Sequence, residues 1–143
     1  MPRISLLLLI AMQFLCGPLW AEEKITSFAS MITVEPSGLI SVTETISVVA
    51  EGSEIKRGIF RDFPTQYTDR TGRRFRVGFT PLSVARDGRP EPFHLKEMGN
   101  GVRVYMGQED VFLDPGPYTY TFTYQTTRQI GFFKNYDELY WNV

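Results

Sequence analysis

The chain has 143 residues, of which 43% are hydrophobic, 14% aromatic and 22% charged, and its formal net charge is −1. This composition is that of one ordinary globular domain, and it excludes a disordered chain, a collagen and a coiled coil. The single cysteine, Cys16, lies in the N-terminal apolar segment, so the rest of the chain is predicted to have no disulfide, no thiolate nucleophile and no cysteine metal ligand.

The first 21 residues have the pattern of a secretory signal peptide. Arg3 provides a short basic region, residues 4–15 form an apolar run, and Ala21 precedes a charged segment that begins with Glu22. The apolar run is shorter than the ~20 residues that a helix needs to cross a bilayer. We therefore expect residues 1–21 to be removed by cleavage after Ala21 and residues 22–143 to form an exported, extracytoplasmic domain.

The exported segment has the two-residue periodicity of β-strands. Between Leu39 and Ala50 the even positions are apolar, and Glu44 is the exception on that stripe. From Tyr118 to Tyr124, aromatic residues alternate with threonines, which also favour extended backbone. Shorter strands are predicted at residues 25–34, 75–79, 82–85, 93–98 and 102–106.

The turn signals between these strands define the fold class. Asp87-Gly88 and Asn100-Gly101 supply the backbone conformations that tight hairpins require. Many short strands separated by turns predict an all-β fold, an antiparallel β-sandwich of the Ig-like or a related type. We interpret residues 51–73 as a long irregular crossover between sheets. The aromatic, strand-like segment at residues 137–143 has no polar tail, so we expect the domain to be truncated at its C-terminus.

The sequence predicts no catalytic residue, no metal site and no cofactor. The glycines at 99 and 101 lack the third glycine of a dinucleotide fingerprint and are better interpreted as a hairpin turn. His94 is the only histidine, and it alternates with Phe93 and Leu95, which indicates a polar strand face rather than a general base. A zinc site needs several ligands that one histidine and no exported cysteine do not supply.

The acidic residues leave one enzymatic alternative open. A pair of carboxylates can hydrolyse a glycosidic bond, and a set of them can bind calcium. Their spacing matches no calcium-binding loop, and solvated turns are the more ordinary role for such residues. The residues concerned are Glu109, Asp110, Asp114, Asp137 and Glu138.

Glu44 is the most informative charged residue. A carboxylate in the middle of an apolar strand face is unfavourable unless a cation pairs with it, and the nearest cations that follow in the sequence include Arg57 and Arg61. We therefore predict an ion pair between Glu44 and Arg57 or Arg61. A buried structural pair and a ligand-binding pair use the same arrangement, so the sequence leaves both roles open.

Charge is unevenly distributed along the exported segment. Residues 55–90 carry a net charge of +6 and the other exported residues a net charge of −8. The basic block suits contact with anionic lipid headgroups or an envelope polymer, or with the acidic strands of the same domain. The signal peptide argues against nucleic acid as a partner.

Four segments of the chain carry a resemblance to a known family. In order, they are GLISVTETI at 38–46, RGIFRDFP at 57–64, GPYTYTFTY at 116–124 and DELYWNV at 137–143. They resemble the N-terminal exported domain of the predicted membrane proteins grouped as domain-of-unknown-function family 2207. The resemblance implies an extracytoplasmic β-rich domain that is followed, beyond Val143, by more of the domain and by transmembrane helices. The family has no established activity, so no catalytic residue follows from the resemblance.

Two functional hypotheses arise from the sequence. The favoured one is a non-enzymatic, extracytoplasmic interaction or sensory domain of a membrane-anchored envelope protein, with an envelope polymer or a protein as its partner. Its association with the membrane would come from segments beyond Val143. The alternative is a carboxylate-dependent hydrolase that acts on an envelope glycan.

Overall fold

The computed structural model describes residues 22–69, 71–139 and 141, and their regular secondary structure consists of β-strands. The predicted signal peptide at residues 1–21 lies outside the described residues, as do Tyr140, Asn142 and Val143. The strands are β1 (Lys24–Val34), β2 (Ile40–Ala50), β3 (Gly58–Pro64), β4 (Gln66–Thr68), β5 (Arg74–Arg76), β6 (Gly78–Arg86), β7 (Arg89–Pro90), β8 (Phe93–Met98), β9 (Gly101–Gly107), β10 (Gly116–Thr127), β11 (Ile130–Phe132) and β12 (Asp137–Leu139).

Two antiparallel sheets form the body of the domain. The larger sheet has the strand order β1-β2-β10-β6-β7, and the smaller has the order β3-β9-β8. Two separate hairpins, β4–β5 and β11–β12, complete the pairing. The prediction of an all-β fold of the sandwich type is confirmed, because side chains from both sheets share one core.

The predicted alternation in β2 and β10 builds the core. The even-numbered side chains of β2 from Ile40 to Ala50 are all buried, and so are the aromatic residues at 120, 122 and 124 of β10. From the opposite sheet, β9 contributes Val104 and Met106. On the other face of the large sheet, the Thr43 and Thr123 hydroxyls are 3.4 Å apart across the β2–β10 pair. The matching alternation of β2 and β10 thus places one set of their side chains in the core and the other set on the opposite face of the sheet.

The interpretation of residues 51–73 is right in one respect and wrong in another: the stretch crosses from β2 in the large sheet to β3 in the small sheet, but it is not irregular. This stretch contains β3, which pairs with β9 over its whole length, and β4, which pairs with β5. The inward-facing positions of β3 are Ile59, Arg61 and Phe63. The arginine in the middle interrupts the apolar alternation on which strand recognition depends, so the pattern is not visible in the sequence.

The predicted strand at residues 75–79 is divided in the structure. Phe75 belongs to β5, whereas β6 begins at Gly78 and includes the predicted 82–85 strand. Between them, Val77 is buried, and its backbone N–H donates to the Thr65 carbonyl at 2.9 Å. Val77 therefore fixes the point at which the chain leaves the hairpin and enters the large sheet.

The strand-like C-terminal segment has a partner within the chain. Residues Asp137–Leu139 form β12 and pair with β11. Within residues 22–69, 71–139 and 141, the structure contains no helix with the length and hydropathy that a membrane crossing requires.

Glu23 secures the loop that follows β2. Its carboxylate accepts hydrogen bonds from four backbone N–H groups, those of Glu51, Ser53, Glu54 and Ile55. Desolvation raises the pKa of Glu23, but the four amide donors outweigh it and hold the pKa below its ordinary value. The start of β1 is thereby tied to the segment that leads into β3.

Candidate functional site

Glu44 lies at the centre of the sandwich. It is in the middle of β2, between β1 and β10, and only 1% of its side chain is exposed. The periodicity of β2 places it on the inward face with Val42 and Ile46. A carboxylate at this depth requires donors for both oxygens, and the structure supplies three.

Arg61 provides two of those donors. Its Nε donates to Glu44 Oε2 at 2.9 Å and its Nη2 donates to Oε1 at 2.7 Å, which makes a bidentate ion pair between the two sheets. The guanidinium carbon lies 5.1 Å from the centre of the Phe28 ring and 5.3 Å from that of Phe63. The Arg61 side chain remains 25% exposed, so the pair extends from the core to the surface.

Tyr124 provides the third donor. Its hydroxyl donates to Glu44 Oε1 at 3.0 Å from the adjacent strand β10. The Tyr124 ring packs against Phe63 at 4.8 Å and is stacked with Trp141 at 6.5 Å. One guanidinium and one phenol therefore donate hydrogen bonds to both oxygens of the Glu44 carboxylate. The aromatic rings of Phe63 and Trp141 pack against Tyr124.

The electrostatics of this cluster keep Arg61 and Tyr124 each in one protonation state. Burial lowers the pKa of Arg61, but the hydrogen bonds and the negative charge of Glu44 outweigh it, and the pKa lies above its ordinary value. Burial, the charge of Glu44 and the hydrogen bond to Glu44 raise the pKa of Tyr124 well above that of a free phenol. Arg61 stays cationic and Tyr124 stays neutral through the physiological range.

Arg57, the other predicted partner of Glu44, lies over a different residue in the structure. The Arg57 guanidinium is 4.3 Å from the centre of the exposed Phe112 ring, at the loop that precedes β10. The structure thus brings Arg61 to Glu44 and leaves Arg57 outside the cluster.

A cleft of about 1420 Å³ opens beside the cluster, and Arg61, Tyr124 and Trp141 form part of its lining. The hairpins β4–β5 and β11–β12 contribute walls to it. Stacked aromatic pairs stiffen both hairpins, with Tyr67 and Phe75 at 5.6 Å in one and Phe133 and Tyr136 at 4.9 Å in the other. The cleft combines aromatic surface with cationic groups.

Three arginines of the cleft have no acidic partner. Among residues 22–69, 71–139 and 141, no carboxylate lies within 4 Å of Arg74, Arg76 or Arg128. Of the acidic residues in the lining, Asp62 and Asp69 are paired with Arg103 and Arg73. Glu138, which also lines the cleft, balances only one of the three arginines. The cleft therefore presents an excess of positive charge, on a chain whose net charge is −1.

The acidic residues considered for hydrolysis are divided between two regions. Those at 109, 110 and 114 lie in the loop before β10, and those at 137 and 138 lie on β12, beside the far end of β10. The two ends of this 12-residue strand are about 40 Å apart, whereas a catalytic carboxylate pair is within ~10 Å. This placement does not support a glycosidase formed from the two groups.

His94 and metal binding can be considered together. His94 lies on the outer face of the small sheet, where its ring stacks on Tyr105 at 4.8 Å and its Nε2 is 3.7 Å from Glu109 Oε1. In the part of the chain that the structure describes, no group of three or more His, Cys, Asp or Glu side chains is arranged to hold a metal ion.

Sequence reasoning missed Tyr124 and the cleft. The alternation from Tyr118 to Tyr124 puts Tyr120 and Tyr124 on the same face, and a buried tyrosine hydroxyl usually has a hydrogen-bond partner. Only the structure shows that the Tyr124 hydroxyl bonds to Glu44, whereas that of Tyr120 has no partner among the described residues. Nothing in the sequence indicates that β4–β5 and β11–β12 line one cleft, because residues 66–76 and 130–139 are far apart in the chain and only the tertiary structure places both hairpins beside it.

The fold and the cleft define a class, an all-β sandwich domain with a cationic, aromatic-lined cleft beside a buried ion pair. Comparison with known proteins identifies the family. Residues 24–143 match the model described as "Predicted membrane protein (DUF2207) N-terminal domain", and the chain belongs to that family.

One curated relative is the uncharacterized protein YciQ of Escherichia coli (strain K12). It is 32% identical over 122 residues, which are 85% of this chain and 19% of that protein's length. The chain thus spans about a fifth of this relative. No solved structure is significantly similar to the chain.

Proposed function

We propose that this domain is a non-enzymatic interaction module on the extracytoplasmic side of a membrane protein, and that it binds an anionic partner in the cleft. The observation that carries the proposal is the set of three cleft arginines, Arg74, Arg76 and Arg128, that have no carboxylate within 4 Å among the described residues. Guanidinium groups bind phosphate and carboxylate groups in a planar, bidentate manner, and aromatic surface beside them adds apolar contact.

The Glu44 cluster supports this proposal by its position. Two of the five N–H donors of Arg61 are used on Glu44, which leaves three for a ligand at the cleft. Because Glu44 and the rings of Phe28 and Phe63 hold the guanidinium in place, little side-chain entropy would be lost on binding. In this proposal the buried pair is both a structural element and the fixed base of the binding site.

The extracytoplasmic orientation rests on the sequence pattern of residues 1–21 and is tested separately. The chain is fused at its C-terminus to alkaline phosphatase, which is active only after export. We expect high phosphatase activity from the fusion and background activity from the same fusion lacking residues 2–21. Equal activity from the two fusions, or none from either, would count against the proposed orientation.

Binding in the cleft is tested with a defined probe, poly(glycerol phosphate), measured by isothermal titration calorimetry. The triple variant Arg74→Gln, Arg76→Gln, Arg128→Gln should bind about tenfold or more weakly, because charge-assisted contacts are lost. The matched control, Lys24→Gln, Arg89→Gln, Lys96→Gln, removes the same charge from exposed positions outside the cleft lining. Equal losses in the two triple variants, or no binding by the unaltered chain, would contradict the proposal.

A further inference from the structure

We infer that the tip of the β11–β12 hairpin inserts into the interfacial region of an anionic phospholipid bilayer. The hairpin tip comprises residues 133–136, and its turn is closed by a hydrogen bond of 2.9 Å from the Phe133 N–H to the Tyr136 carbonyl. The Phe133 and Tyr136 rings are stacked on each other at 4.9 Å, and these residues are 51% and 60% exposed. The tip therefore holds two aromatic rings in a fixed arrangement at the surface.

The exposed aromatic surface extends beyond the tip. Phe132, the last residue of β11, is 67% exposed and directly precedes Phe133. Scattered exposed hydrophobic residues are normal, but adjoining ones on a single hairpin indicate a contact surface. Transfer of such apolar surface out of water is favourable.

Cations accompany these rings. Lys134 lies between Phe133 and Tyr136 in the turn, and Arg128 lies two residues before the first strand of the hairpin. Arg74 and Arg76 line the same cleft as Phe132. Aromatic side chains together with lysine and arginine are the composition that favours the interface of an anionic bilayer, where the rings lie at headgroup depth and the cations meet phosphates.

The bilayer is the occupant that these observations favour. The chain belongs to a family described as predicted membrane proteins, so a membrane surface is tethered to the domain at high effective concentration. The chain as a whole carries a charge of −1, so its attraction to anionic lipid depends on this local cationic and aromatic surface. The inference goes beyond the cleft proposal. Because the tip residues also line the cleft, the two are separated by the probe, vesicles against a soluble polymer.

The test is flotation of the purified chain with vesicles of about three parts phosphatidylcholine to one part phosphatidylglycerol, compared with phosphatidylcholine alone. We expect binding to the anionic vesicles only. The variant Phe133→Ser, Tyr136→Ser should partition at least about tenfold more weakly, because binding scales with the buried apolar area. The control Met31→Ser, Leu82→Ser alters two residues that are 68% and 50% exposed but lie on β1 and β6, and it should bind as the unaltered chain does.

Depth of insertion provides a second measurement. A Phe133→Trp variant should be quenched by lipids brominated on their acyl chains, whereas a Met31→Trp variant should not. Poly(glycerol phosphate) binding by the serine variant is measured in parallel, because Phe133 and Tyr136 also line the cleft. A loss of vesicle binding that clearly exceeds any loss of polymer binding assigns the effect to the bilayer contact, and equal losses for the two probes overturn the inference. The inference is overturned if the chain binds the polymer but not the vesicles, or if the tip and control variants lose vesicle binding equally.

Discussion

Arg61 and Glu44 are 17 residues apart in sequence and meet across the two sheets through hydrogen bonds of 2.9 and 2.7 Å. One partner is fully buried and the other reaches the cleft, with 1% and 25% of their side chains exposed. The pair is therefore a bidentate ion pair that links the two sheets. In our proposal it also holds Arg61 in place at the base of the ligand site. Its two roles can be separated by measurement.

Removal of the cation alone should be strongly destabilising. Arg61→Met leaves the Glu44 carboxylate buried with only the Tyr124 hydroxyl as a donor, which we expect to cost about 3–5 kcal/mol in the free energy of unfolding. The double variant Glu44→Met, Arg61→Met should be less destabilised than Arg61→Met alone. Urea unfolding of the single and double variants gives the coupling energy.

Arg57 supplies the control for this cycle. Arg57→Met combined with Glu44→Met should show additive effects, because the Arg57 guanidinium lies over Phe112 rather than beside Glu44. A coupling energy below about 0.5 kcal/mol between Glu44 and Arg61 would mean that the pair does not form in solution.

Tyr124→Phe should cost about 1–2 kcal/mol near neutral pH, because Glu44 Oε1 loses one of its two donors in a buried site. The pKa of Tyr124 is raised in the folded chain, so its stabilising effect is complete below the unfolded pKa of 10 and declines as pH rises above that value. The stability difference between the unaltered chain and the variant should therefore shrink at alkaline pH. A difference that stays constant from pH 7 to 11 would contradict the assignment.

Glu23 should contribute an acid-sensitive part of the stability. Because four backbone N–H groups hold its folded pKa below the ordinary value of 4.5, the stabilisation is present above pH 4.5 and is lost as pH falls through the folded pKa. The stability gap between the chain and Glu23→Gln, measured by urea unfolding at several pH values, should be largest near neutrality and close in acid. Asp62 and Asp69 also have lowered pKa values, so only the difference between the two proteins isolates Glu23.

Gly107 is required for the close approach of β9 and β3. Its φ is +137°, and a Cβ atom there would lie 2.0 Å from the Arg57 carbonyl oxygen. We expect Gly107→Ala to cost about 2–4 kcal/mol, from strained backbone and from displacement of the paired strand. Gly99→Ala, where a Cβ would meet nothing within 4 Å, should change the stability by less than about 0.5 kcal/mol. Similar thermal unfolding of the two alanine variants would argue against this account.

Local sequence determined the two long neighbouring strands of the large sheet, β2 and β10. The alternations from Ile40 to Ala50 and from Tyr118 to Tyr124 specify which side of each strand is buried, because side chains on a strand point alternately to its two faces. The same alternation identified Glu44 as a carboxylate on the buried face, since a strand position fixes orientation regardless of the partner strand. The prediction of an ion pair followed from the energetics of burial alone.

Only the tertiary structure decided which arginine is the partner and what surrounds it. Arg57 and Arg61 are equally plausible by sequence distance, and the register of β3 against β9 selects Arg61 by placing it on the inward face. The cleft is lined by two hairpins more than fifty residues apart in sequence, and no periodicity in the sequence predicts that both lie beside it. Periodic patterns encode the orientation of a side chain, whereas a site made by several elements depends on how the sheets pack, and that is determined by the whole chain at once.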